Sequence, residues 1–69
     1  MDAVTKDLLS RKEEIIKELE LLFKTNLKIT DWDVPEADDE EAAMLLVSIL
    51  EEGLEKIKQD IKAGKYKNY

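Results

Sequence analysis

Apolar residues recur along the first third of the chain in two registers seven apart. Leu8, Ile15 and Leu22 form one, Leu9, Ile16 and Phe23 the other, with Val4 and Leu19 between them. On a helical wheel they fall within one arc of about 140°, the width of a core-facing stripe. The opposite side carries Asp2, Lys6, Glu13, Lys17 and Glu20. Asp2/Lys6, Glu13/Lys17 and Glu20/Lys24 are i,i+4 pairs in the acid-first order, which supports a helix by a few tenths of a kcal/mol each. The pattern predicts a helix over residues 3–24. Lys12 interrupts the apolar arc, lying on the wheel among Leu8, Ile15 and Leu19. Its stem can cover apolar surface while the ammonium stays in water, or it can meet a carboxylate of another helix or another chain.

From Thr25 to Asp33, TNLKITDWD, the period breaks and Leu27, Ile29 and Trp32 stand among polar residues. A connection over residues 25–36 is expected, with these three side chains folding over the open end of a hairpin, since a lone strand has no partner in so short a chain. Trp32 is read either as a plug of the core or as an anchor for a partner, a role in which tryptophan is enriched.

The next stretch, Asp31 to Glu41, reads DWDVPEADDEE and holds seven acids and no base. Pro35 suits a first helical turn, where its missing N–H costs nothing. Asp38 with Glu41 three residues on has the form of an N-terminal capping pair. The second helix is expected over residues 37–63, on an arc of Ala43, Leu46, Val47, Ile49, Leu50, Leu54, Ile57 and Ile61. Gly53 sits within that arc at about 1 kcal/mol of lost helix propensity, read as room for another backbone or as a tolerated weak spot. Met44 and Leu45 point away from the arc, so AAMLLVSIL is apolar nearly all round and asks for cover on more than one side. Gly64 suits a left-handed C-terminal cap, with Lys56, Lys58 and Lys62 favouring the negative end of the helix dipole. Residues 64–69 are expected to fray.

The reading that emerges is an all-α fold, a two-helix antiparallel hairpin in a single domain of residues 1–69, pairing with a second copy as a four-helix bundle. Length strengthens it: 69 residues bury only about 60% of the surface of the unfolded chain. Small domains supplement such a core with disulfides, a metal or association, and this chain has no cysteine and no histidine. The interface is expected at Trp32, Met44, Leu45, Ile49 and Gly53.

Charge and chemistry narrow the function. With 17 acidic and 11 basic residues the net charge is −6, which disfavours nucleic acid and anionic membranes as partners. No apolar run reaches the roughly 20 residues of a membrane span, no signal-peptide pattern opens the chain, and a cytoplasmic protein is expected. Without histidine or cysteine, the common general base, the thiol nucleophile and most zinc sites have no residue to serve them. No catalytic, cofactor-binding or metal-ligating residue is assigned, and no enzyme is expected. A calcium loop starting at Asp31 would put Glu36 where the turn glycine belongs and Ala42 where the bidentate glutamate belongs. Lys56 to Tyr69 carries five lysines against one aspartate, with Tyr66 and Tyr69 interleaved. That is a thin basis for single-stranded nucleic-acid binding, and pairing of this basic end with the acidic connection of another copy is a simpler use. The acids Asp31, Asp33, Asp38, Asp39, Glu40 and Glu41 form a pole that attracts a basic protein at long range. The expected function is a homodimeric structural or regulatory interaction module. The alternative is an antitoxin-like inhibitor that neutralises a basic toxin or nuclease with its apolar helix face and acidic pole.

Overall fold

The computed structural model describes residues 2–36 and 38–68. Ala37, the expected first residue of the second helix, and Tyr69, the last aromatic of the tail, lie outside the described residues. Among the described residues the chain is all helical, without strands: α1 spans Ala3–Ser10, α2 Lys12–Asp33 and α3 Asp39–Lys62.

Helix α1 starts at a cap. The Asp2 carboxylate accepts the backbone N–H of Thr5 at 2.8 Å, satisfying one of the donors that a helix start leaves unpaired. The same hydrogen bond favours the ionised form and lowers the Asp2 pKa below its ordinary 3.8. Asp2 therefore serves the helix end and not the expected pair with Lys6. Neither Glu13/Lys17 nor Glu20/Lys24 closes an ion pair among the described residues; the i,i+4 pairs that do close are Arg11–Asp7 at 3.2 Å and Lys56–Asp60 at 3.3 Å. Exposed pairs gain so little that side-chain freedom decides the matter.

The expected single helix over residues 3–24 is corrected at both ends of its second half. It is interrupted at Arg11, where φ −105° and ψ 9° leave the helical basin. Ser10 Oγ donates to the Asp7 carbonyl at 2.6 Å and Arg11 N–H reaches Leu8 O at 3.1 Å. A hydroxyl bonding back to the preceding turn competes with the helical ladder and bends it.

The second correction is that α2 does not stop at Lys24. It runs through Thr25 and Asn26 to Asp33, so the connection is residues 34–38 and not 25–36. Thr and Asn are weak helix formers by only about half a kcal/mol each. Against that, Asn26 donates its amide to the Leu22 carbonyl at 2.8 Å, and Phe23 and Leu27, one turn apart, are both half-buried on one side. Pro35 also changes role: it stands in the turn beyond α2, outside α3. The residue before a proline is pushed out of the helical region, and Val34 ends α2 with φ −132° and ψ 77°.

Both ends of α3 follow local chemistry. Asp38 Oδ1 accepts the N–H groups of Glu40 and Glu41 at 2.9 and 3.2 Å. At the other end Gly64 takes φ +83°, Gly64 N–H bonds Ile61 O and Lys65 N–H bonds Asp60 O, both at 3.0 Å, the bond pair of a Schellman cap. Lys65 Nζ also reaches Asp60 Oδ2 at 3.7 Å. Beyond the cap, Lys65 to Asn68 continue in consecutive turns.

The helices touch sparingly. α2 contacts α1 and α3, but α1 and α3 do not meet. All the half-buried residues but Asp60 lie in the halves of the two helices nearer the connection: Phe23, Asn26, Leu27 and Asp31 on α2, and Ala42, Ala43, Leu46 and Leu50 on α3. Farther out, Leu8, Ile15, Ile57 and Ile61 are exposed. The Cα extents of 49 × 27 × 16 Å exceed in their second dimension the roughly 14 Å that two helices lying side by side would span, so the three helices form an open, V-like arrangement and not a closed pair. The radius of gyration is 15.9 Å, against about 11 Å for a compact chain of this length.

Candidate interaction surface

No described residue is buried. The accessible surface is 6498 Å², whereas a compact monomer of 8.0 kDa exposes about 4,450 Å². Residues that the periodicity marks as core contribute to the roughly 2,000 Å² of surplus, Leu8, Leu19, Leu54 and Ile57 among them, each exposed. Midway along α2 and α3 the two stripes meet in an open groove of about 320 Å³, lined by Leu19, Phe23, Val47, Leu50 and Leu54 together with Glu20 and Glu51. These residues carry the i,i+4 spacing of a core face; that the face is left open depends on the arms diverging.

The residues expected at an interface are all accessible. Met44 is 65% exposed, Leu45 63% and Ile49 53%, all in the first half of α3. Gly53 lies open too: a Cβ built there meets nothing within 4 Å, so no backbone of this chain approaches it. Trp32 is 87% exposed, which overturns its reading as a plug of the core. Once α2 continues through Asp33, Trp32 falls on the side of the helix away from Leu19 and Phe23. It lines instead a shallow groove of about 530 Å³ with Thr25, Lys28, Ile29 and Asp33. Ile29 likewise stays exposed, and of the three expected anchors Leu27 alone is half-buried.

The acidic pole divides in two. Asp38 is the cap of α3, and Asp39, Glu40 and Glu41 occupy its first turn, where the helix dipole favours negative charge. Asp31 and Asp33 lie in the last turn of α2, with no basic residue in that turn, where the dipole disfavours them. Asp31 also faces Asp39 across the connection. A hydrogen bond from the protonated Asp31 carboxyl to Asp39, partial burial and the neighbouring negative charge together raise the Asp31 pKa above its ordinary 3.8. Among the described residues no three acidic side chains converge into a group able to hold a metal ion.

The cations are set apart. Lys56 and Lys65 both engage Asp60, a clamp on the C-terminal cap for which the sequence offers only the Gly64 signal. Lys12, Lys58 and Lys62 form no ion pair among the described residues. No helix among the described residues is long and apolar enough to cross a membrane.

Fold and surface together define a class, a small all-helical chain with apolar stripes uncovered along its arms. Comparison with protein-family models, with curated proteins and with solved structures yields no match for this chain.

Proposed function

We propose that this chain is a non-catalytic protein-interaction module that acts as a homodimer, two α2–α3 hairpins closing into a four-helix bundle. The observation that carries the reading is the surplus of exposed surface. The accessible area of 6498 Å² exceeds that of a compact monomer by roughly 2,000 Å², while a stable interface takes about 800 Å² from each partner and an obligate one more. Apolar stripes of this extent are unfavourable in water at about 25 cal/mol per Å², and among the described residues no element covers them.

Sedimentation equilibrium at two protein concentrations tests this reading. A particle of twice 8.0 kDa is expected, with helicity that falls on dilution; a fully helical monomer across the concentration range would overturn it.

A second reading, the antitoxin-like inhibitor of a basic protein, draws on one observation. Trp32, 87% exposed, stands between Asp31 and Asp33 in the chain and off the apolar stripes, so dimerisation through the stripes leaves it available as an aromatic anchor with Asp33 beside it. Its test is affinity for a basic protein such as a purified cationic nuclease. Binding lost on Trp32→Ala and weakened by salt supports it, and binding indifferent to both removes it.

A further inference from the structure

We infer that the two copies dock antiparallel, the mouth of each V receiving the other, with the basic outer end of α3 in one copy lying against the acidic connection of its partner. This rests on the homodimer reading above and adds the orientation, which the fold's layout of charge decides.

Each arm of the V is apolar along its inner side and charged at its ends. The acids gather at the vertex, where Asp33 ends α2 and Asp38 to Glu41 begin α3. The cations gather at the far end of α3, about 35 Å away along the helix. Two copies joined vertex to vertex would bring two clusters of carboxylates within a screening length, about 8–10 Å in ordinary buffer, and would bring the two basic ends together as well. Reversing one copy replaces both repulsions with attractions. The apolar fit hardly distinguishes the two orientations, because both seat the same stripes against each other, so charge sets the choice.

Lys12 supplies an independent reason. It sits within the apolar stripe of α2, makes no ion pair in its own chain among the described residues, and lies about 31 Å from the end of α2. In the vertex-to-vertex arrangement it would face another Lys12 across an apolar seam. In the antiparallel one it lies level with the first turn of the partner's α3, whose carboxylates would neutralise it. Lys58 and Lys62, likewise without an ion pair among the described residues, arrive at the same pole. A cation at a stripe position is then a device for specifying register and direction, a role that buried polar residues fill in other helical assemblies.

The chain has no cysteine, so a single introduced thiol can carry a nitroxide label. Glu41→Cys, labelled and measured by double electron–electron resonance in the full-length dimer, is expected to give a separation between copies of about 30 Å or more. Lys62→Cys should likewise give a long distance, and a mixture of the two variants a short one. A short Glu41→Cys distance in a sedimenting dimer overturns the orientation and leaves the dimer standing. A monomer overturns both, and frees the stripes for a different protein.

Discussion

Replacing Ile57 by alanine separates a covered stripe from an open one. In the isolated chain Ile57 is 46% exposed, so truncation there removes only part of a burial worth about 1.5–3 kcal/mol in full, roughly 1 kcal/mol. Alanine's better helix propensity returns a few tenths. If a second copy completes the burial, the substitution falls in the range of about 2–5 kcal/mol found for large-to-small changes in cores. At least about 1 kcal/mol per copy then belongs to the interface. Both copies carry the change, so the dimer loses about 2 kcal/mol, which is roughly thirtyfold in Kd. Sedimentation equilibrium of the wild type and Ile57→Ala gives the ratio directly, and circular dichroism at matched concentrations reports whether helix is lost along with the partner. A variant with the wild-type Kd would refute the reasoning, since it would mean that the outer part of α3 is as wet in the assembly as it is in the single chain.

Three further substitutions probe the local chemistry. Asp38→Ala removes the acceptor for Glu40 and Glu41 N–H and should lower stability by about 1 kcal/mol in thermal or urea unfolding; an unchanged midpoint would show that water satisfies those donors equally well. Asp31→Asn should stabilise the fold at neutral pH, because the raised Asp31 pKa means that the native state holds this proton more tightly than the unfolded chain. That contribution is complete below the ordinary value of 3.8 and is lost as pH rises through the folded value. The advantage of the asparagine should therefore shrink as melts are repeated toward pH 3.8, and an advantage independent of pH would locate its origin elsewhere. Gly53→Ala places a Cβ in open space and should raise helix stability by about 1 kcal/mol, read as a higher melting temperature; a drop would put a partner backbone against this position.

The helical class, the cap at Asp38 and the stop at Gly64 were legible in the chain because each depends on residues within a turn of one another. An aspartate before a helical run, a glycine able to take positive φ and a 3.6-residue apolar period need no distant partner to act. The course of α2 was not legible in this way. Thr25, Asn26 and the spacing of Leu27, Ile29 and Trp32 read locally as a break with near-alternating anchors, and propensities differ by so little that the partial burial of Phe23 and Leu27 outweighs them. Continuing the helix at its own period turned Trp32 outward, which reversed its reading as core and kept it among the interface candidates. The break at Arg11 was hidden for a similar reason, since it depends on a Ser10 hydroxyl choosing the Asp7 carbonyl over water.

Covering the stripes belongs to another level. Periodicity says which side chains seek burial, because it follows from the angle between successive residues, but it does not say how far two helices stay together. Here α2 and α3 touch sparingly, and apart from Asp60 their half-buried residues lie between Phe23 and Asp31 and between Ala42 and Leu50. How closely two segments distant in sequence pack is a property of their meeting in space. The side chains that seek burial were therefore written along the chain, while the open groove between the arms, and the need for something to fill it, arose only when the helices were set against one another.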